Sequence, residues 1–112
     1  MATAYAILGQ ASPADTSATA LFSVTSAHDY VVSTIVVANT TASAATYRIF
    51  ARKAGASAAA SNAIAYDVTC PGNSSVTLTL GVTLSGTAGD VISVRSGTAN
   101  ALTFTAFGSD IS

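Results

Sequence analysis

The chain has no glutamate and no tryptophan, and among its 112 residues only one cysteine, one histidine and two prolines. Each shortage excludes something. A single cysteine, Cys70, rules out an internal disulfide and any cysteine-based metal cluster. A lone histidine, His28, leaves little from which to build a catalytic triad, and no G-x-S-x-G elbow is present. Neither common spacing of a glycine-rich phosphate loop occurs, and there is no calcium loop. No run is long and apolar enough to span a membrane as a helix, and no basic segment precedes an apolar one at the N-terminus, so no secretory leader is expected.

Charge is the scarcest property. Charged residues make up 8% of the chain, against about 25% in ordinary globular domains. The net charge of -1 is too small to point to nucleic acid or an anionic membrane. A surface this neutral risks self-association unless partners cover it. Three of the four basic residues, Arg48, Arg52 and Lys53, lie within one short segment.

What the chain does have is alternation. Runs rich in β-branched and aromatic residues are separated by Gly, Pro, Asn, Ser and Ala, a pattern of strands and turns. Eight strands are predicted: 3–9, 19–25, 30–38, 46–52, 63–68, 76–84, 91–96 and 101–107. The third is the longest and most apolar and belongs inside a sheet. In the fourth, Tyr47, Ile49 and Ala51 should face the core, with Arg48, Phe50 and Arg52 on the outer face. Ile64, Tyr66 and Val68 should share one face of the fifth strand. In the sixth, Val76, Leu78, Leu80, Val82 and Leu84 should oppose Thr77, Thr79 and Thr83. Leu102 and Phe104 should point inward from the eighth. Pro71 and Gly72 suit a type II turn with Gly72 at positive φ. The Ala-rich stretch 54–62 reads as a loop, with a short helix as the alternative.

These signals predict an all-β protein: residues 1–112 as a single β-sandwich domain of about eight antiparallel strands, immunoglobulin-like or jelly-roll. Hairpin-length turns should join the third strand to the fourth, the sixth to the seventh and the seventh to the eighth, while longer connections cross between sheets.

The polar residues read as structural. Asp15, Asp29, Asp67, Asp90 and Asp110 fall mostly at strand ends and turns, where a carboxylate bonds nearby backbone N–H groups. Cys70 has no basic neighbour to activate it and is expected to be inert. The sequons at Asn39 and Asn73 read as turn chemistry. The Arg48, Phe50, Arg52 stripe reads as a protein interface, since arginine and aromatic residues are enriched where proteins meet. Its expected partner is an acidic surface.

The segments "ATAYAILGQASPA", "VVSTIVVANTTASAATYRIFARKAG", "AIAYDV" and "LTLGVTLSGTAGDVISVRSGTANALTFTAFGSDI" together resemble small virion structural proteins of tailed bacteriophages. The resemblance runs over nearly the whole chain and consists of strand-and-turn patterns. It implies an all-β domain that coats or joins parts of a particle, in head or tail, and carries over no functional residue.

The expectation is a non-enzymatic capsid decoration, or cement, protein. It would be made in the host cytoplasm and sit on the virion capsid surface. It would bind the major capsid protein or other virion proteins as a homo-oligomer, without cofactor, metal, nucleic acid or membrane. The expected interface residues are Arg48, Phe50, Arg52, Lys53, Tyr5 and Ile7. A tail, neck or baseplate component and a carbohydrate- or receptor-binding module are the alternatives.

Overall fold

A computed structural model describes residues 4–24 and 27–111. It contains eight strands: β1 (Ala4–Ala11), β2 (Thr19–Ser23), β3 (Asp29–Asn39), β4 (Ala45–Arg52), β5 (Ala63–Cys70), β6 (Ser75–Ser85), β7 (Val91–Ser96) and β8 (Leu102–Asp110). The predicted strands recur with ends shifted by up to three residues. Thr3 and Thr25, expected in the first two, lie outside the described residues, as does Ser26 of the turn that follows.

The strands form two antiparallel sheets, ordered β1-β8-β3-β6 and β2-β7-β4-β5. The pairs β1·β8, β2·β7, β3·β6 and β4·β5 are nested, as in one long two-ply ribbon rolled over on itself, and β3·β8 and β4·β7 close the roll. This is the jelly roll. An immunoglobulin-like order would pair strands adjacent in sequence at its A and B positions, whereas β1 and β2 here belong to different sheets.

The roll reverses the expected roles of the connections. The short turns after β3, β6 and β7 do not make hairpins; each carries the chain from one sheet to the other. Packed sheets lie only about 10 Å apart, so a few residues suffice. The longest connection, 53–62, instead stays within one sheet and joins the paired strands β4 and β5. It is a loop with two single 310 turns, Lys53–Gly55 and Ala60–Asn62. In the Pro71 turn, the left-handed residue is Asn73 (φ 52°), not Gly72. Gly72 is required for another reason: a Cβ there would strike the Ala42 backbone carbonyl.

The core lies between the sheets and follows the alternation. Tyr47, Ile49, Ile35, Val37, Leu84, Ile92, Val94, Leu102 and Phe104 are buried in one cluster. Val76, Leu78, Leu80 and Val82 pack against it while Thr77, Thr79 and Thr83 are exposed. β3 lies inside its sheet, between β8 and β6. Phe50 departs from expectation. It points away from the inter-sheet cluster, yet it is only 3% exposed. The 310 turn Ala60–Asn62 packs against β4, and Ala63, which follows the turn, pairs with Phe50.

All four sheet edges, β1, β2, β5 and β6, are paired through interrupted ladders. Register shifts fall between Ile7 and Gly9, between Ala20 and Phe22, between Val32 and Thr34, and on both sides of Ile49. Bulges twist an edge away from further pairing. A chain with so few charges to blunt its edges uses backbone irregularity instead.

Candidate interaction faces

The outer face of β1-β8-β3-β6 is a neutral surface. Ile7, Phe107, Thr34 and Thr79 stand in register across its four strands, and Gln10, Thr105, Val36 and Thr77 form a second row. Gln10 Nε2 donates to Thr105 Oγ1 at 3.4 Å. The only charged residues on these strands are Asp29 and Asp110, both at one end. There His28 Nδ1 lies 2.9 Å from Asp110 Oδ2, and Asp29 Oδ1 accepts from the Gly86 N–H. Large apolar side chains project from this sheet: Tyr5 is 82% exposed, Ile7 57% and Phe107 36%.

The second sheet carries the positive charge. Arg48, Arg52 and Arg95 lie on β4 and β7, and Lys53 follows β4 directly. The β5 bulge sets the local geometry. Tyr47 pairs with Val68 and Ile49 with Ala65, so Tyr66 and Asp67 together oppose Arg48. Asp67 takes a left-handed conformation, φ 53°, which aspartate tolerates better than most residues. The extra residue also breaks the expected alternation. Val68 pairs with inward-facing Tyr47 and so faces the opposite way from Ile64 and Tyr66.

Both residues of the bulge reach the same guanidinium. Arg48 donates through Nε and Nη2 to the two Asp67 oxygens, at 2.7 and 3.0 Å, a bidentate fork. Its charge lies 3.8 Å over the Tyr66 ring centroid, within cation–π range. The hydrogen bond from Arg48 holds the Asp67 carboxyl below its usual range, and the charges of Arg48 and Arg95 reinforce it. The same hydrogen bond raises the Arg48 guanidinium.

Arg52 binds its own connection. It donates to the Ala56 carbonyl at 2.6 Å, the Gly55 carbonyl at 3.2 Å and Ser93 Oγ at 2.8 Å. Lys53 is exposed, beside a small open cleft of about 230 Å³ lined by Arg52, Val82, Leu84 and Asp90. That is below the usual size of a small-molecule pocket. Asp90 accepts from the Ala54 and Ser85 N–H groups, and these bonds lower its pKa.

The six expected interface residues therefore do not form one surface. Tyr5 and Ile7 belong to the neutral sheet; Arg48, Arg52 and Lys53 belong to the other; Phe50 is buried. Sequence reasoning missed Phe107 and Arg95. Continuing the alternation past Leu102 and Phe104 turns Phe107 outward. That Arg95 stands beside Arg48 follows only from the β4·β7 register.

The aspartates divide. Asp15, Asp29 and Asp90 hold backbone N–H groups, as expected, whereas Asp67 and Asp110 face side-chain partners. Asn39 is buried and donates to the Ser43 and Cys70 carbonyls. Cys70 is fully buried, and burial raises its thiol pKa. Among the described residues, no three His, Cys or Asp side chains gather closely enough to hold a metal ion.

No protein-family model and no curated protein matches the chain. Among solved structures it is similar to a chain from the structure of infectious bursal disease virus, Gx strain. The TM-score is 0.51 at 13% identity, over 96% of this chain and 31% of that one. The likeness is one of fold, and this chain spans about a third of the viral chain's length.

Proposed function

We propose that this chain is a non-enzymatic structural protein of a tailed-bacteriophage virion, a capsid decoration protein that stabilises contacts between major capsid subunits. The observation that carries the reading is the neutral outer face of β1-β8-β3-β6, from which Tyr5, Ile7 and Phe107 project. Exposed large apolar side chains on a broad uncharged surface mark a place where proteins meet. The resemblance of the strand-and-turn motifs to phage virion proteins supports the same reading, and so does a fold shared with a chain from a virus structure.

The mechanism is mass action. A protein that binds only the assembled shell stabilises that shell by its binding free energy. Many copies on one particle add modest contacts together. The test is a count of this protein per major capsid subunit in gradient-purified particles, by quantitative mass spectrometry. Comparable numbers support decoration of the shell. A count at the scale of a single ring moves the protein to tail, neck or baseplate, and absence from particles discards the reading.

A further inference from the structure

Arg48 and Arg95 stand directly opposite each other on β4 and β7. Side chains so placed have Cβ atoms about 4.5–5.5 Å apart, and like charges there repel. One carboxylate, Asp67, serves the pair: it bonds Arg48 and feels the charge of Arg95. Two guanidiniums and one carboxylate leave a net charge of +1. Among the described residues, no carboxylate lies within ion-pair distance of Arg95.

Both arginines are held in place. Arg95 Nε donates to the Thr16 carbonyl at 2.6 Å. Arg48 is fixed by the Asp67 fork and the Tyr66 ring. These bonds use Nε of each residue and Nη2 of Arg48, and Arg48 also meets Tyr66; both terminal nitrogens of Arg95 are left without a hydrogen bond inside the chain among the described residues. Donors already ordered lose little conformational freedom on binding.

We propose that Arg48 and Arg95 receive a single carboxylate, an Asp or Glu side chain on an acidic partner protein, with exposed Tyr66 and Ile64 as the apolar rim. The charge selects the ligand class. A surplus of one positive charge is neutralised by one carboxylate, whereas a phosphate group, with between one and two negative charges, overshoots it. This deepens the docking reading only in the chemistry of the partner, and it concerns the sheet opposite Tyr5 and Ile7.

The test needs no particle, so its failure and that of the virion reading are distinguishable. Arginine Nε–H and backbone amide resonances of the whole chain are followed by NMR during titration with hexaglutamate, hexalysine or inorganic phosphate. Hexaglutamate is expected to give saturable shifts centred on Arg48, Arg95 and Tyr66, weakened about fivefold by Arg95→Gln and unaffected by Lys53→Gln. Should Arg95→Gln fail to fold, Arg95→Lys keeps the charge without the fork and should bind with intermediate strength. Shifts centred on Arg52 and Lys53, an equal response to phosphate, or no saturable response would overturn the proposal.

Discussion

Ile7 and Phe107 stand directly across from one another on β1 and β8, and both side chains are exposed. Neither belongs to the core, so the pair can be altered without emptying the interior. Ile7→Asp should change unfolding free energy by only about 0.5 kcal/mol, the usual scale for surface positions. The same change should strip the protein from particles. Calorimetry and the copy count measure the two effects separately; a variant that still decorates particles at full occupancy would exclude this face.

Tyr47 is fully buried, its hydroxyl has no hydrogen-bond partner among the described residues, and burial raises its pKa. Its ring meets Phe104 edge-on at 6.3 Å. Tyr47→Phe keeps that contact and removes an unsatisfied polar group. The expected outcome is a gain of about 1 kcal/mol in urea unfolding. A clear loss would mean that the hydroxyl has a partner in solution, such as an ordered water.

Two glycines should respond in opposite ways to alanine. At Gly72 a Cβ would meet the Ala42 carbonyl, whereas at Gly81 nothing among the described residues lies within 4 Å of one. Gly72→Ala should cost about 1–3 kcal/mol through forced backbone movement. Gly81→Ala should be neutral or stabilise by about 0.5 kcal/mol by restricting the unfolded chain. Thermal unfolding of the two variants side by side checks the contrast.

Acid should act through Asp67 and Asp90. Both carboxyls are held below the usual value of 3.8, Asp67 by Arg48 and Asp90 by the Ala54 and Ser85 N–H groups. A group whose pKa is depressed on folding contributes its full stability above the unfolded-state pKa. That contribution fades as pH falls through the folded-state pKa. Stability should therefore hold from neutrality to about pH 4 and decline below it. Asp90→Asn should flatten the decline, as read from urea midpoints across the acid range.

The strands were legible because a half-buried sheet writes its period of two directly into the chain, most plainly in Val76–Leu84 against Thr77–Thr83. What was not legible depended on pairing. Nothing local in "TYRIFAR" says that Phe50 will be buried although it lies outside the inter-sheet cluster. Nothing in "AIAYDV" announces that Asp67 takes a left-handed turn and delivers two residues to one arginine. The crossings were misjudged for a related reason. Loop length reports only the distance between strand ends, and in a thin sandwich the step to the other sheet is as short as the step to the next strand.

The nested pairing also favours an order in time. Among the eight strands, β4 and β5 alone are consecutive in sequence and paired within one sheet; each further pair must close a longer loop, out to Ala4 beside Asp110. Closing long loops before their contacts form is slow. The β4–β5 hairpin is thus the natural seed, with Arg48 and Asp67 at its middle, and the ribbon zips outward from there. Tyr5 and Ile7, the most exposed large apolar side chains among the described residues, belong to the strand whose pairing closes the longest loop. The face they complete is therefore expected to form only once the rest of the molecule has closed.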